Sequence, residues 1–411
     1  MHKVDKFNQK TKQFDFLVAH PVKHHAFNLA AGCLKSGRST LLITPLYRKG
    51  IGTLIARLPG GIGKKMQGYV HCGLPAADVM SPTAWQIRKM FSLLRPAPTF
   101  NADFDSFTAD LILRGALRAK YVVTLQDYMP ETIRASLQTG AQIWSDQISN
   151  QSHEAMQRIA RHYADLGGKF LEIHNEANNR EILSLSSVVT YPSKYCAAGS
   201  TNFIRPSAIV SYVPYGVDDR MFGTTLKSTK QLVRIVARAN SVRKGGHILL
   251  RALAECSEKL LLATRGRPLE VVFLGKMEPT VKLVQNQLHF PLGVSIVDVN
   301  VPHVDVPSLL STADLFVMPS LSEGMSLVAL EAMQTGLPLI LSKFCGVDIF
   351  RHGEMGYEVS DAVDSVADAL IDAFDHIDNW PEWGANGRRA AAEQTWREYE
   401  AQIAELALKL D

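Results

Sequence analysis

Two series of short apolar runs, each run flanked by a helical pattern, constrain this chain more than any other feature. "FDFLVA" (14–19), "TLLITP" (40–45), "YVVTLQ" (121–126), "VVTY" (188–191) and "AIVSYV" (208–213) form the first series. "VRIVAR" (233–238), "LEVVFLG" (269–275), "VSIVDV" (294–299), "DLFVMPS" (314–320) and "LPLILS" (337–342) form the second. Strands apolar on both faces and separated by helices belong to parallel sheets covered on both sides. Two such series imply an α/β chain with two Rossmann-like, doubly wound domains. A polar, turn-rich stretch at 215–231 marks the break between them. The expected division is 1–215, 216–390 and a closing amphipathic helix at 391–411, free to pack back on the first domain. Ligands of such domains lie beyond the carboxyl ends of the strands, and two facing domains make a cleft.

The bulk numbers narrow the function classes. At 411 residues, 46% hydrophobic and 20% charged, the chain reads as an ordinary globular protein. A net charge of +4, with no basic stripe interleaved with aromatics, argues against a nucleic-acid partner. Five scattered cysteines without a C-x-x-C pair read as buried reduced thiols, not as a disulfide framework or a zinc site. The polar start "MHKVDKFNQKTKQ" is not a secretory leader, and no window is apolar enough to span a membrane. A cytoplasmic location is expected.

"SEGMSLVALEAM" (322–333) carries the sharpest question. Val328, Ala329, Leu330, Ala332 and Met333 would bury most sides of a helix. A carboxylate inside such a helix needs a partner. The helix should open near Gly324-Met325-Ser326 and stop at Gly336-Leu337-Pro338. Its N-terminus suits an anion or a polar sugar. Glu323 stands at that start, and Glu331 about two turns further, roughly 10 Å along the axis. One extended ligand could touch both. The bland alternative is a helix cap at Glu323 and a neighbouring Arg or Lys for Glu331. "VARANSVRKGGHILLRAL" (236–253) supplies a second element. Arg238 ends a strand and Lys244 precedes a glycine turn, so the two cations could grip a diphosphate. Otherwise they are solvated surface charges.

Together these motifs resemble the family 4 retaining glycosyltransferases, which have the GT-B fold. "SEGMSLVALEAM" followed by "GLP" looks like that family's E-x7-E signature. "VARANSVRKGG" is similar to its Arg and Lys-Gly turn, and "VPYGVDDRMF" (213–222) to its linker. "ADLFVMPS" and "TWREYEAQI" (395–403) match its preceding strand and closing helix. The resemblance spans about 187–405.

It implies a metal-independent, cofactor-free hexosyltransferase that moves sugar from a nucleotide diphosphate donor to a glycan or lipid-linked hydroxyl. The setting it suggests is bacterial surface polysaccharide synthesis. In this reading Arg238 and Lys244 hold the diphosphate, Glu323 meets the donor sugar and Glu331 the ribose. The amides of Gly324, Met325, Ser326 and Leu327 cradle sugar and phosphate. Loops after Gly275 and at Val299-Asn300 hold the base, with Lys276 where a second glycine is common.

The first domain departs from the pattern. Its first loop, "AHPVKHHAFNLAAG" (19–32), places Lys23 and His24 where glycines are frequent. Gln126, followed by Asp127, stands where many relatives have a donor-contacting His. Asp146 and His153 are further acceptor-side candidates, along with Gln147 and Asn150. Against this, Asp146 could cap a helix and His153 could be an exposed helical residue. "DFD" (103–105) has metal-binding spacing but reads as helix capping. The stretch 46–71 carries five Arg/Lys and no acid, which suits either an anionic membrane surface or a basic acceptor loop. A peripheral place on the inner face of the membrane is therefore open. Rival readings are an inactive relative that binds a nucleotide sugar or a partner, and a GT-B epimerase or phosphorylase.

Overall fold

The computed structural model describes residues 11–410 apart from 23, 58–62, 64, 65, 67, 95–98, 171–175 and 224–230. Two parallel sheets carry the described chain. The first runs β3-β2-β1-β4-β5-β6-β7, built from β1 (Lys12–Ala19), β2 (Thr40–Ile43), β3 (Val79–Met80), β4 (Leu117–Leu125), β5 (Gln142–Asp146), β6 (Val188–Tyr191) and β7 (Ile209–Tyr212). The second runs β10-β9-β8-β11-β12-β13, from β8 (Val233–Ala237), β9 (Leu269–Leu274), β10 (Val294–Val299), β11 (Leu315–Met318), β12 (Leu339–Ser342) and β13 (Gly356–Val359). Helices cover both sheets, giving two Rossmann-like domains with a cleft between them, the GT-B architecture.

Strand order fixes where ligands can sit. In the first sheet the chain winds outward through β1, β2 and β3, then returns to the other side of β1 as β4. In the second, β8, β9 and β10 wind one way and β11 returns beside β8. At such a reversal the loops after the two central strands diverge and leave a crevice at the carboxyl edge. The crevices lie after β1 and β4, and after β8 and β11. The candidate residues of both domains fall in those loops or the ones beside them.

Two runs expected to be buried are edge strands. Ile209, Val210 and Tyr212 of β7 are exposed, as is Val297 of β10. An edge strand has one neighbour, so apolar content alone does not bury it. Three strands escaped the pattern: β3 is two residues long, "QIWSD" (β5) ends in polar residues, and "GYEV" (β13) holds a glycine and a glutamate in its four positions.

The two domains are stitched together. Helix His153–Asp165 belongs to the first domain, yet its Ile159 joins the hydrophobic core of the second. From the same helix, Arg158 donates to the Leu321 carbonyl (3.0 Å) and lies over the Phe344 ring. Tyr163 donates to Glu278 (2.9 Å), and His162 meets His247 (2.9 Å). Helix Trp396–Leu408 crosses back and packs on helix Ala26–Lys35. Gly32 makes this approach possible, because a Cβ there would fall 2.6 Å from Ile403. Glu400 ties the pair, bonding His71 (2.9 Å) and Lys35 (2.5 Å).

The basic stretch 46–71 is partly outside the described residues. Within the described part, Leu46, Tyr47, Ile55, Ala56, Met66 and Tyr69 face the core. Lys49 donates to the carbonyls of Ala76 and Val79 (2.6 and 2.7 Å), which fixes a loop. These apolar groups are therefore turned inward, not offered to lipid; Leu54 is the exposed exception. No helix among the described residues is long and apolar enough to cross a membrane. Of the free cysteines, Cys33, Cys196, Cys256 and Cys345 are buried, whereas Cys72 is exposed, contrary to expectation.

Candidate active site

The loop after β11 folds as its residue types dictate. Ser326 caps helix Leu327–Thr335, its hydroxyl accepting from the Ala329 N–H, and Gly336 ends it in the left-handed conformation. The loop after β8 turns at Gly245 (φ 74°), where a Cβ would fall 2.0 Å from the Pro319 carbonyl oxygen. Backbone touches backbone at that point, so only glycine fits. The Leu321 N–H donates to the Arg243 carbonyl (2.8 Å), and the Arg238 N–H to Val317 (3.1 Å). The two crevice loops are thus zipped into one surface.

On that surface Glu323 is held from three sides. Lys244 Nζ (2.9 Å), Arg243 Nη1 (3.0 Å) and Ser320 Oγ (3.0 Å) all reach its Oε1. Burial pushes this carboxyl up, but Arg243, Lys244 and the two hydrogen bonds outweigh burial and hold it at about 2. The Lys244 side chain is 15% exposed, and burial lowers its pKa against the pull of Glu323. Arg238 donates to the Leu274 carbonyl and packs against Gly275, where a Cβ would strike its guanidinium at 2.3 Å. Three cations thus surround one carboxylate, leaving a positive surplus suited to a diphosphate. Sequence reasoning missed Arg243. Its place immediately before Lys244-Gly245-Gly246 in a tight turn was the available signal.

Glu331 is buried, as the helix pattern requires, and its partner is His303 (Nε2 to Oε1, 2.8 Å), neither Arg nor Lys. The cradle expected from four amides is smaller. The Ser326 N–H already donates to the Cys345 carbonyl (2.9 Å), and the Gly275 N–H to Val299 (2.6 Å). Among the described residues, no acceptor meets the N–H groups of Gly324, Met325 or Leu327. Asn300 is exposed beside half-buried Val299, on the loop that leaves β10.

The first domain presses on this loop. Ser193 Oγ donates to the Gly324 carbonyl (2.5 Å), and Met325 Sδ accepts from the Tyr215 N–H (3.2 Å). Gln126 sits behind the contact. Its φ is 49°, rare for a residue with a Cβ, and its side chain is fully buried. Its amide oxygen accepts from Ser149 Oγ (3.0 Å) and Ile148 N (3.4 Å), and its amide nitrogen donates to the Ser149 carbonyl (3.3 Å). Gln126 therefore shapes the 148–149 loop and has little left for a sugar. Asp127 accepts from Gln151 (3.4 Å).

Asp146 does not cap a helix. It is buried at the end of β5, where it accepts from His25 Nε2 and Thr190 Oγ1. His24 in turn meets His25. Asn150 donates to the Tyr195 carbonyl (2.8 Å), and Gln147 pairs with Asn179. His153 opens its helix as an exposed residue beside Gln157 (2.7 Å), apart from the buried cluster. Lys23 lies outside the described residues. Asp105 of "DFD" accepts from the backbone N–H groups of Glu131 and Thr132 (both 2.8 Å), capping helix Pro130–Gln138, while Asp103 pairs with Arg88. Neither aspartate is arranged for a metal, and no group of three metal-ligating side chains occurs among the described residues.

The family model "Glycosyl transferases group 1" matches residues 230–376, the span of the second sheet and the Glu323–Lys244 cluster. The second domain belongs to the group 1 glycosyltransferases. The chain is 28% identical over 237 residues to the MMP alpha-(1->4)-mannosyltransferase of Mycolicibacterium hassiacum. That match covers 55% of each chain, so this chain spans about half the length of that relative. Sucrose-phosphate synthase from Thermosynechococcus elongatus superposes with a TM-score of 0.63 at 16% identity, covering 95% of this chain and 97% of that one. Anabaena HepE in complex with UDP and glucose does so with 0.63 at 14%, covering 97% and 100%. At those identities the likeness concerns the fold, and it extends over both domains.

Proposed function

We propose that this protein transfers a hexose from a nucleoside diphosphate sugar to a hydroxyl acceptor, with retention and without a metal. The observation that carries this is the Glu323 carboxylate, gripped by Lys244 and Arg243 at the start of helix Leu327–Thr335 with Arg238 nearby. Residues 216–390 serve as the donor domain, 1–215 as the acceptor domain, and 391–411 as a strap between them. A relative crystallised with UDP and glucose, and others named as mannosyl- and galactosyltransferases, support a nucleotide-sugar donor.

Arg238 and Lys244 take the diphosphate and stabilise its charge as the glycosidic bond breaks. Glu323 turns from its cations to the donor sugar's hydroxyls, since a carboxylate can accept from two at once. Glu331 exchanges His303 for the ribose hydroxyls. In this reading no side chain acts as nucleophile: the acceptor oxygen attacks from the face the diphosphate leaves, and a phosphate oxygen takes its proton. The acceptor is a glycan or a lipid-linked glycan reached from the cytoplasm.

The test is to incubate the full chain with UDP-, GDP- and ADP-linked glucose and mannose and follow nucleoside diphosphate release. Product from any hydroxyl acceptor is then examined by NMR for the anomer. Release with retained configuration supports the proposal. An inverted product removes the front-face mechanism, and no release from any donor favours a nucleotide-binding protein without turnover.

A further inference from the structure

The first-domain crevice contains a hydrogen-bond chain whose direction can be worked out from its far end. Trp144 Nε1 is donor-only and donates to Thr190 Oγ1 (2.9 Å). With its oxygen accepting there, Thr190 sends its own proton to Asp146 Oδ1. The other carboxylate oxygen faces His25 Nε2, so that nitrogen carries a proton. With that single proton His25 offers only a lone pair at Nδ1, and its neighbour there is His24 Nδ1. His24 must therefore hold its proton on Nδ1, which leaves Nε2 as a bare acceptor.

Neighbouring groups crowd the two imidazoles. His25 immediately precedes helix Ala26–Lys35. Tyr215 and Tyr399 flank its ring (centroids 4.3 and 5.9 Å). Buried His20 lies 6.1 Å from the His24 ring. Desolvation by the protein packed around its ring first, and His25 second, lower the His24 pKa to about 3. Yet His24 keeps an exposed surface, and its ring lies 6.3 Å from that of Tyr215, whose backbone N–H meets Met325 of the donor loop.

We propose that His24 Nε2 accepts a hydrogen bond from a neutral hydroxyl of the acceptor substrate, in a tautomer imposed by Trp144, Thr190, Asp146 and His25. The site selects a hydroxyl over a phosphate, because a bare lone pair repels an anion. The proposal rests on the transferase reading only for what that hydroxyl belongs to.

The decisive experiment is 15N NMR of the imidazoles in the full chain at pH 7.5, with His24 assigned by the spectrum of His24→Gln. The expected result is a single His24 proton on Nδ1. A proton on Nε2, or on both nitrogens, overturns the proposal. In Asp146→Asn, Thr190 still needs an acceptor, so the amide oxygen faces it and the NH2 group faces His25. The chain reverses and the His24 proton should move to Nε2. If that variant does not fold, the wild-type spectrum still decides. Transfer to a panel of methyl glycosides and myo-inositol should fall about tenfold in His24→Leu, the scale of one hydrogen bond, and recover in His24→Gln, whose amide oxygen accepts. Equal losses in both variants would reduce His24 to a structural residue. A panel on which wild type is inactive counts against the transferase reading, while the imidazole spectrum still settles the chain.

Discussion

Gly324 of the donor loop lies directly against Ile148 of the first domain: a Cβ on Gly324 would fall 1.9 Å from the Ile148 carbonyl oxygen. The closed arrangement of the domains therefore depends on a hydrogen atom at position 324. Gly324→Ala should force the 148–149 loop and the donor loop apart. Each domain should keep its own core, while small-angle scattering shows a larger radius of gyration and turnover falls. An unchanged scattering curve with full turnover would mean the contact yields without opening the cleft.

Glu323 and Lys244 should be needed for chemistry more than for folding. Glu323→Gln leaves Arg243 and Lys244 without their carboxylate, and Lys244→Ala removes one of the cations proposed to meet the leaving diphosphate. Losing one group that stabilises developing charge typically lowers turnover by about 10²–10³. Nucleoside diphosphate release, measured beside circular dichroism to confirm folding, checks this. Turnover at the wild-type rate in either variant removes that residue from the site.

Stability should fall as pH drops below neutrality, and His247 should account for part of the fall. Burial, then His162 and Arg251, lower its pKa from 6.5 to about 3. Between those values the unfolded chain binds a proton that the folded chain does not, so folding weakens as pH decreases. One such group contributes at most about 1.4 kcal/mol per pH unit. Asp361 and Arg158 stand beside its partner His162 and oppose each other. Urea denaturation at pH 7 and pH 5 should show a smaller difference in His247→Gln than in wild type. Equal differences would mean that His247 is protonated in the folded state.

The strap helix should be sensitive at Gly32. In Gly32→Val the new side chain meets Ile403 at a distance no carbon pair tolerates. Overpacking of this kind costs about 1–3 kcal/mol. Lower thermal stability and faster proteolysis after Thr395 are the expected readouts; an unchanged melting temperature would show that the strap moves freely.

Local signals carried the donor half in the sequence. Ser326, Gly336, Gly245 and Gly246 announce caps and turns by residue type, and Glu323, Lys244 and Arg238 sit at fixed offsets from them. The first-domain cluster had no such marker. Asp146 finds His25 across 121 residues, and the strand that presents it ends in polar residues. A buried polar pair is visible only once both ends are placed in space. The same limit explains Glu331: an acid in an apolar helix demands a partner, but only the fold brings His303 to it. Burial of β7 and β10 was misjudged because alternation and apolar content report which residues a strand offers, not whether a neighbour covers them.

The central claim is that Glu323, Lys244 and Arg238 form a nucleotide-sugar site. It is tested most directly by the thermal stability of wild type and Lys244→Ala with UDP, GDP, ADP and dTDP, with and without magnesium. A ligand at a hundred times its dissociation constant adds about 2.7 kcal/mol to the folded state. The account predicts that one nucleoside diphosphate raises the melting temperature of wild type without magnesium, and that the shift is lost in Lys244→Ala. An equal shift in both proteins, or none with any nucleotide, would contradict it.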